Sequence, residues 1–250
     1  MNPVFSEKIL KNQAVAGAQD GTMTVRGTIT KTFLLLLMTM AGAAYTWKIY
    51  FEATNPLSIK GWMMGGLIVG FILAMIISFV PKMAQFLSPI YAAAEGLAIG
   101  GLSAMYNDIF AKTAPNIVMN AVGITLLCTL VMLFVYRSRM IQVNGKFTRI
   151  MMIGFITIAI YYLGMMVLSL FGVNMSLLTG SSPLSIGISI IIVGFAAFSL
   201  LMDFNFIEQA SAAGAPKYME WYGAFGIMVT LIWLYIEILQ LLAKVAGSRN

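Results

Sequence analysis

The stretch YGAFGIMVTLIWLYIEILQLLAKV, Tyr222 to Val245, decides the fold. It is an apolar run slightly longer than the ~20 residues that a helix needs to cross a bilayer. One carboxylate, Glu237, lies inside it, with Ile236 before it, Ile238 after it and no base nearer than Lys244. An ionised Glu at membrane depth is expensive. It must be neutral, paired or functional.

The rest of the chain has the same character. Its 250 residues are 60% hydrophobic and only 10% charged, whereas soluble domains are about a quarter charged. Six further apolar runs precede the last: Phe33–Phe51, Trp62–Val80, Leu87–Tyr106, Ile117–Tyr136, Phe147–Phe171 and Leu184–Met202. The third is the least apolar, since it carries Glu95 and several small residues. Pro56, Pro81, Pro115, Gly145, Gly172, Pro183 and Pro216 punctuate the gaps. The expected fold class is an all-α polytopic membrane protein with seven transmembrane helices. Residues 1–30 form a cytosolic N-terminal segment, and residues 31–250 form the transmembrane domain.

Positive charge sets the orientation. Ten bases fall on one side: Lys8, Lys11, Arg26, Lys31, Lys82, Arg137, Arg139, Lys146, Arg149 and Lys217. Five fall on the other: Lys48, Lys60, Lys112, Lys244 and Arg249. The N-terminus is therefore expected in the cytoplasm and the C-terminus outside. The first residues hold no apolar core of a cleavable signal. NPVFSEKIL, Asn2–Leu10, reads either as an amphipathic turn on the membrane surface or as a partly ordered tail.

Several classes are excluded. The bases are scattered and form no basic face, so no nucleic acid is expected as a partner. One cysteine, Cys128, permits no intrachain disulfide. With no histidine, the usual pH switch is missing, and proton sensing falls to carboxylates. No HExxH, P-loop, nucleophile–base pair or dinucleotide fingerprint occurs, so no enzyme and no cofactor are expected beyond a bound Ca²⁺.

Three carboxylates carry the functional reading. Glu237 is first, with Gln240 on the same helical face. Asp203, in SLLMDFNFIEQA, is either an interfacial Asp or, if the helix runs on to Gln209, about 10 Å inside it. Glu95 adjoins a stripe of small residues at every fourth position: Ser88, Ala92, Gly96, Gly100 and Ala104. Such a stripe admits a second helix closely, with Ile90 and Ile99 expected to face lipid. For each acid a neutral packing role stands beside the functional one. Lys82, in FVPKMAQF, is the loop base best placed to reach inward. Oxygen ligands without basic partners suit a shared proton or a hard cation such as Ca²⁺.

SPIYAAAEGLAIGGLSAMY, DFNFIE, APKYMEWYGAFGIMVTLIWLYIEILQLL and MTVRGTITKTF together resemble the bacterial branch of the Bax inhibitor family. The resemblance runs from about Met23 to Leu242. It implies a bacterial inner-membrane bundle of seven helices with the last in the centre, and a pH-sensitive cation leak, chiefly of Ca²⁺. It also implies an acid pair on the sixth and seventh helices that shares a proton and provides metal ligands. The family's YDLN reads MDFN here, giving Asp203; its LYLD reads LYIE, giving Glu237. Glu for Asp lengthens the second acid by one methylene. A second-helix Glu that pairs with an Arg in leak members is missing from WMMGGLIVGFILAMIISFV. Lys82 falls near the Arg position, as a latch candidate. Some bacterial relatives imply a different role, as interaction proteins that modulate a membrane protease.

Overall fold

The computed structural model describes residues 21–52, 57–171 and 180–248. Within them are seven α-helices: α1 Val25–Glu52, α2 Leu57–Phe79, α3 Ala84–Ile109, α4 Ile117–Arg137, α5 Gly145–Leu170, α6 Pro183–Ala212 and α7 Met219–Gly247. A 3₁₀ turn, Pro81–Met83, links α2 to α3. No strand occurs among the described residues, beyond an isolated antiparallel bridge between Thr22 and Pro216. Six of the helices are long and apolar enough to cross a membrane. The protein is therefore a multi-pass membrane protein. The other helix, α3, is long enough at 26 residues but is diluted by Glu95 and its small residues. All of Asn2–Leu10 and the last two residues lie outside the described residues.

Element boundaries follow local chemistry. α1 begins well before the expected Phe33, because the Thr24 side chain caps it by accepting from Gly27 N–H at 3.0 Å. Asn144 caps α5 in the same way, accepting from Phe147 N–H at 2.9 Å. α6 runs ten residues beyond Met202, the expected end, since Phe206, Ile207 and Ala210 are buried. It stops at Gly214, whose φ of +68° suits glycine. There Gly214 N–H donates to Ser211 O and Ala215 N–H to Ala210 O, the paired closure of a Schellman motif.

The chain divides into two compact units, and α6 and α7 contribute residues to both. One unit holds residues up to 108 with 205–229. Here α3 is the packing element. All five residues of its small stripe are buried. A Cβ on Gly96 would lie 2.3 Å from Thr39 O, and one on Gly100 2.3 Å from Ala43 O, both on α1. Contacts that close exclude any side chain. On α2, a Cβ at Gly66 would meet Ala94 O at 2.5 Å. Ile90 is exposed, but Ile99 is buried; it does not face lipid as expected, since α3 is in contact on more than one side.

The same unit contains a clasp. Glu220, in the first turn of α7, has a fully buried side chain. It accepts from Thr24 N–H at 2.9 Å and from the Thr24 hydroxyl at 2.8 Å. It also pairs with Lys31, and with Lys217 at 2.8 Å. In a capping box a Glu three residues on closes the cap backbone N–H; here Glu220 does so from 196 positions away. Met23 N–H to Ala215 O and Lys217 N–H to Gly21 O extend the join. Lys31 also lies 5.4 Å from the Trp221 ring.

The other unit holds residues 109–204 with 230 onward. The Phe195 ring of α6 lies over Gly154 of α5, where a Cβ would sit 2.0 Å from the ring. Phe147 meets Phe198, and Phe155 meets Trp233. α7 is the most enclosed span candidate, with 61% of its window buried against 11–44% for the others.

Two outcomes follow. Glu220→Ala leaves two lysines without their acid, so thermal melting in detergent should fall by roughly 5–10 °C, the effect of losing about 3 kcal/mol. Gly100→Leu should abolish folded yield, whereas Ile90→Leu should match the wild type in size-exclusion chromatography.

Candidate functional site

Two hydrogen bonds fix how α6 and α7 run past each other. At one level the Thr230 hydroxyl donates to Asp203. At the other, Lys244 Nζ donates to Ser189 Oγ at 2.6 Å. Ser189 to Asp203 and Thr230 to Lys244 are equal intervals of two heptads, so the helices are antiparallel and in register. Midway, Glu237 on α7 stands level with Ala196 on α6. Thr230, Glu237 and Lys244 recur every seventh residue and share one face of α7.

Glu237 is buried and well partnered. Its Oε1 accepts from the Tyr162 hydroxyl of α5 at 2.6 Å and from Trp233 Nε1, one turn back, at 3.0 Å. It also interacts electrostatically with Lys244. Asp203 is equally buried but less satisfied. Beyond the Thr230 bond, its Oδ2 has no hydrogen-bond partner among the described residues. Such an orphan oxygen is costly unless something visits it.

The buried polar side chains of this unit, among the described residues, are Thr125, Ser185, Ser189, Ser199, Asp203, Thr230, Glu237 and Lys244. All except Thr125 lie on α6 and α7. Ser185 Oγ is also without a partner among the described residues. From Ser185 to Asp203 the line of polar groups extends about 27 Å along α6 at 1.5 Å per residue, close to the ~30 Å hydrocarbon thickness. The seam offers oxygen atoms in sequence through an apolar bundle. Oxygen atoms are the ligands that hard cations prefer and that protons bind.

The two acids of the expected pair have separate hydrogen-bond partners. Thr230 and Glu237 are two turns apart on α7, about 10 Å, so Asp203 and Glu237 form separate stations. No group of three His, Cys, Asp or Glu suited to a metal occurs among the described residues.

Glu95 is half-buried in the other unit, its carboxylate over α2, where a Cβ on Gly70 would meet Oε1 at 2.6 Å. Lys82 is exposed at the 3₁₀ turn. The sequence reading missed Lys244, Tyr162, Thr230 and Glu220. For Thr230 and Lys244 a signal existed, the heptad spacing on either side of Glu237. Tyr162 had none, because its partner is remote in sequence.

A family model described as Bax inhibitor 1 like matches residues 2–247, essentially the whole chain, so the protein belongs to that family. No curated protein and no solved structure matches the chain.

Thr230→Val removes the donor to Asp203. The melting temperature should fall by a few degrees, for a loss of about 1 kcal/mol. Combined with Asp203→Asn, the loss should be smaller than the sum of the single losses, since both changes break one bond. Full additivity would place Thr230 elsewhere.

Proposed function

We propose that this Bax inhibitor 1 like protein is a proton-regulated cation leak, or carrier, of a bacterial inner membrane, with Ca²⁺ as the favoured cargo. The observation that carries this reading is the polar seam of α6 and α7, and above all the unpartnered Asp203 oxygen at one end of it. A cation entering from that end meets Asp203 and Thr230, then Ser199, then Glu237, then Ser189 and Ser185. A proton on Asp203 removes the negative charge that attracts it, so protonation tunes the flux. The side chains described act by binding and charge alone, and no bond is made or broken.

In this reading α3 is the seventh span despite its lower apolarity, and α7 is the central helix. The N-terminus is cytoplasmic and the C-terminus outside, following the ten-to-five distribution of bases. Glu95 lies in a separate part of the pathway or acts only in packing, and Lys82 is a latch only if the turn closes inward.

A second reading has its own support. The Glu220 clasp joins the start of α1 to the start of α7. A protein partner such as a membrane protease that grips the N-terminal segment would therefore pull on α7.

Uptake of Ca²⁺ into proteoliposomes between about pH 5 and 8, the range in which perturbed carboxylates titrate, tests the first reading. Asp203→Asn should flatten the pH dependence while leaving the protein folded. An unchanged profile in Asp203→Asn would remove the proton-regulated account. Deleting residues 1–20, which spares the clasp, should leave uptake intact; the second reading instead expects loss of a partner's response with normal uptake.

A further inference from the structure

We propose that Lys244 is a tethered cation. Its ammonium, held on the buried Ser189 hydroxyl, occupies a place that a permeating ion would need, and so plugs that end of the α6–α7 seam. The inference rests on the cation-pathway reading above and assigns its restriction to one residue.

The direction of the side chain is the first argument. A lysine near the end of a membrane helix ordinarily snorkels towards the interface. On α7 the Cα–Cβ bonds tilt towards the helix N-terminus, back into the bundle. Lys244 is only 7% exposed. Its Nζ ends on the buried Ser189 hydroxyl at 2.6 Å and not in water. A buried ammonium normally requires a nearby anion. The acid it interacts with is Glu237, two turns back on the same face.

The second argument is the shell. Around this ammonium the structure supplies what a hard cation would seek. Ser189 Oγ is in contact. Glu237 lies deeper, its charge shared with Tyr162 of α5 and Trp233 of α7. Ser185 Oγ, one turn nearer the start of α6, is buried and has no partner of its own. Among the described residues two oxygens of the seam are therefore unsatisfied, at Ser185 and at Asp203, one on each side of the stretch that holds Lys244 and Glu237. Between them the charge is already balanced.

Balance has a consequence for flux. A cation arriving from Asp203 meets a carboxylate whose counter-charge is covalently attached to the chain. To pass, it must displace the ammonium from Ser189 against like-charge repulsion. The tether keeps the effective concentration of the competitor high, whatever the salt outside. The wild-type protein is thus a restricted leak, and Asp203 is the uncompensated acid that remains open to protons and ions.

The experiment compares Ca²⁺ uptake by proteoliposomes containing wild type, Lys244→Met, Lys244→Gln, Lys244→Arg and the double variant Lys244→Met with Glu237→Gln. Entrapped calcein reports any general loss of the barrier. Lys244→Met and Lys244→Gln should raise uptake at least about tenfold with calcein retained, because a unit charge is removed from a low-dielectric path. Lys244→Arg, which keeps the charge, should stay within about twofold of wild type. The double variant should fall back, since the carboxylate that attracts the ion is gone. Wild-type uptake that Lys244→Met and Lys244→Gln leave unchanged or lower overturns the inference and spares the pathway. No uptake in any protein, including those without Lys244, overturns the pathway reading and this inference with it. No uptake by wild type but uptake by Lys244→Met supports both, because the plug would then be complete.

Discussion

Polar groups in hydrocarbon must find partners inside the protein, and the helices α6 and α7 meet that constraint together. Asp203 takes the Thr230 hydroxyl, Glu237 takes Tyr162 and Trp233, and Lys244 takes Ser189. Neither the Asp203–Thr230 nor the Lys244–Ser189 bond forms if the two helices slide by a turn. The register is therefore set by polar contacts at both ends, and apolar packing such as Phe195 on Gly154 fills in around them. Hydrogen bonds between membrane helices are individually modest, about 1 kcal/mol. Their value here is specificity of alignment.

The two units solve different problems. In the one built around α3, glycine and alanine allow backbones to touch, so van der Waals contact stands in for the hydrophobic effect that lipid cannot supply. Its one buried acid outside the membrane's midst, Glu220, is fully satisfied by Thr24, Lys31 and Lys217. That acid is a structural tie. Buried hydroxyls without a partner among the described residues occur in both units, Ser88 and Tyr218 in the first and Tyr161 and Ser185 in the second, but only at Asp203 of the second is the unpartnered atom a carboxylate oxygen. Incomplete satisfaction of a carboxylate in a well-packed region is the mark of a site that works with something mobile.

Much of this was legible in the sequence, for identifiable reasons. Apolar length revealed the spanning helices, because the bilayer imposes it. The stripe from Ser88 to Ala104 could be read because close helix approach demands small residues at a fixed interval. Asp203 and Glu237 stood out since acids in apolar runs are rare. What stayed hidden was partnership. Lys244 looked like an interfacial lysine because hydropathy says nothing of which way a side chain points. Tyr162 looked like one aromatic among many. The clasp at Glu220 needed the fold, since its partners are at the far end of the chain. At the end of α6 the sequence leaves two readings of DFNFIEQA open, and the helix takes the longer one, past Gln209 to Ala212, because its apolar face continues to Ala210.

The central claim is that the α6–α7 seam admits water and ions while the outer faces of the same helices meet lipid. Single cysteines in a Cys128→Ser background, probed with a water-soluble methanethiosulfonate, test it most directly. Ser185→Cys, Ser189→Cys and Ser199→Cys line the seam, whereas Ile190→Cys and Ile191→Cys replace exposed apolar residues. The account predicts modification at the three serine positions, slowed by added Ca²⁺, and little at the two isoleucines. Modification of the isoleucine positions with none at the serines would contradict it.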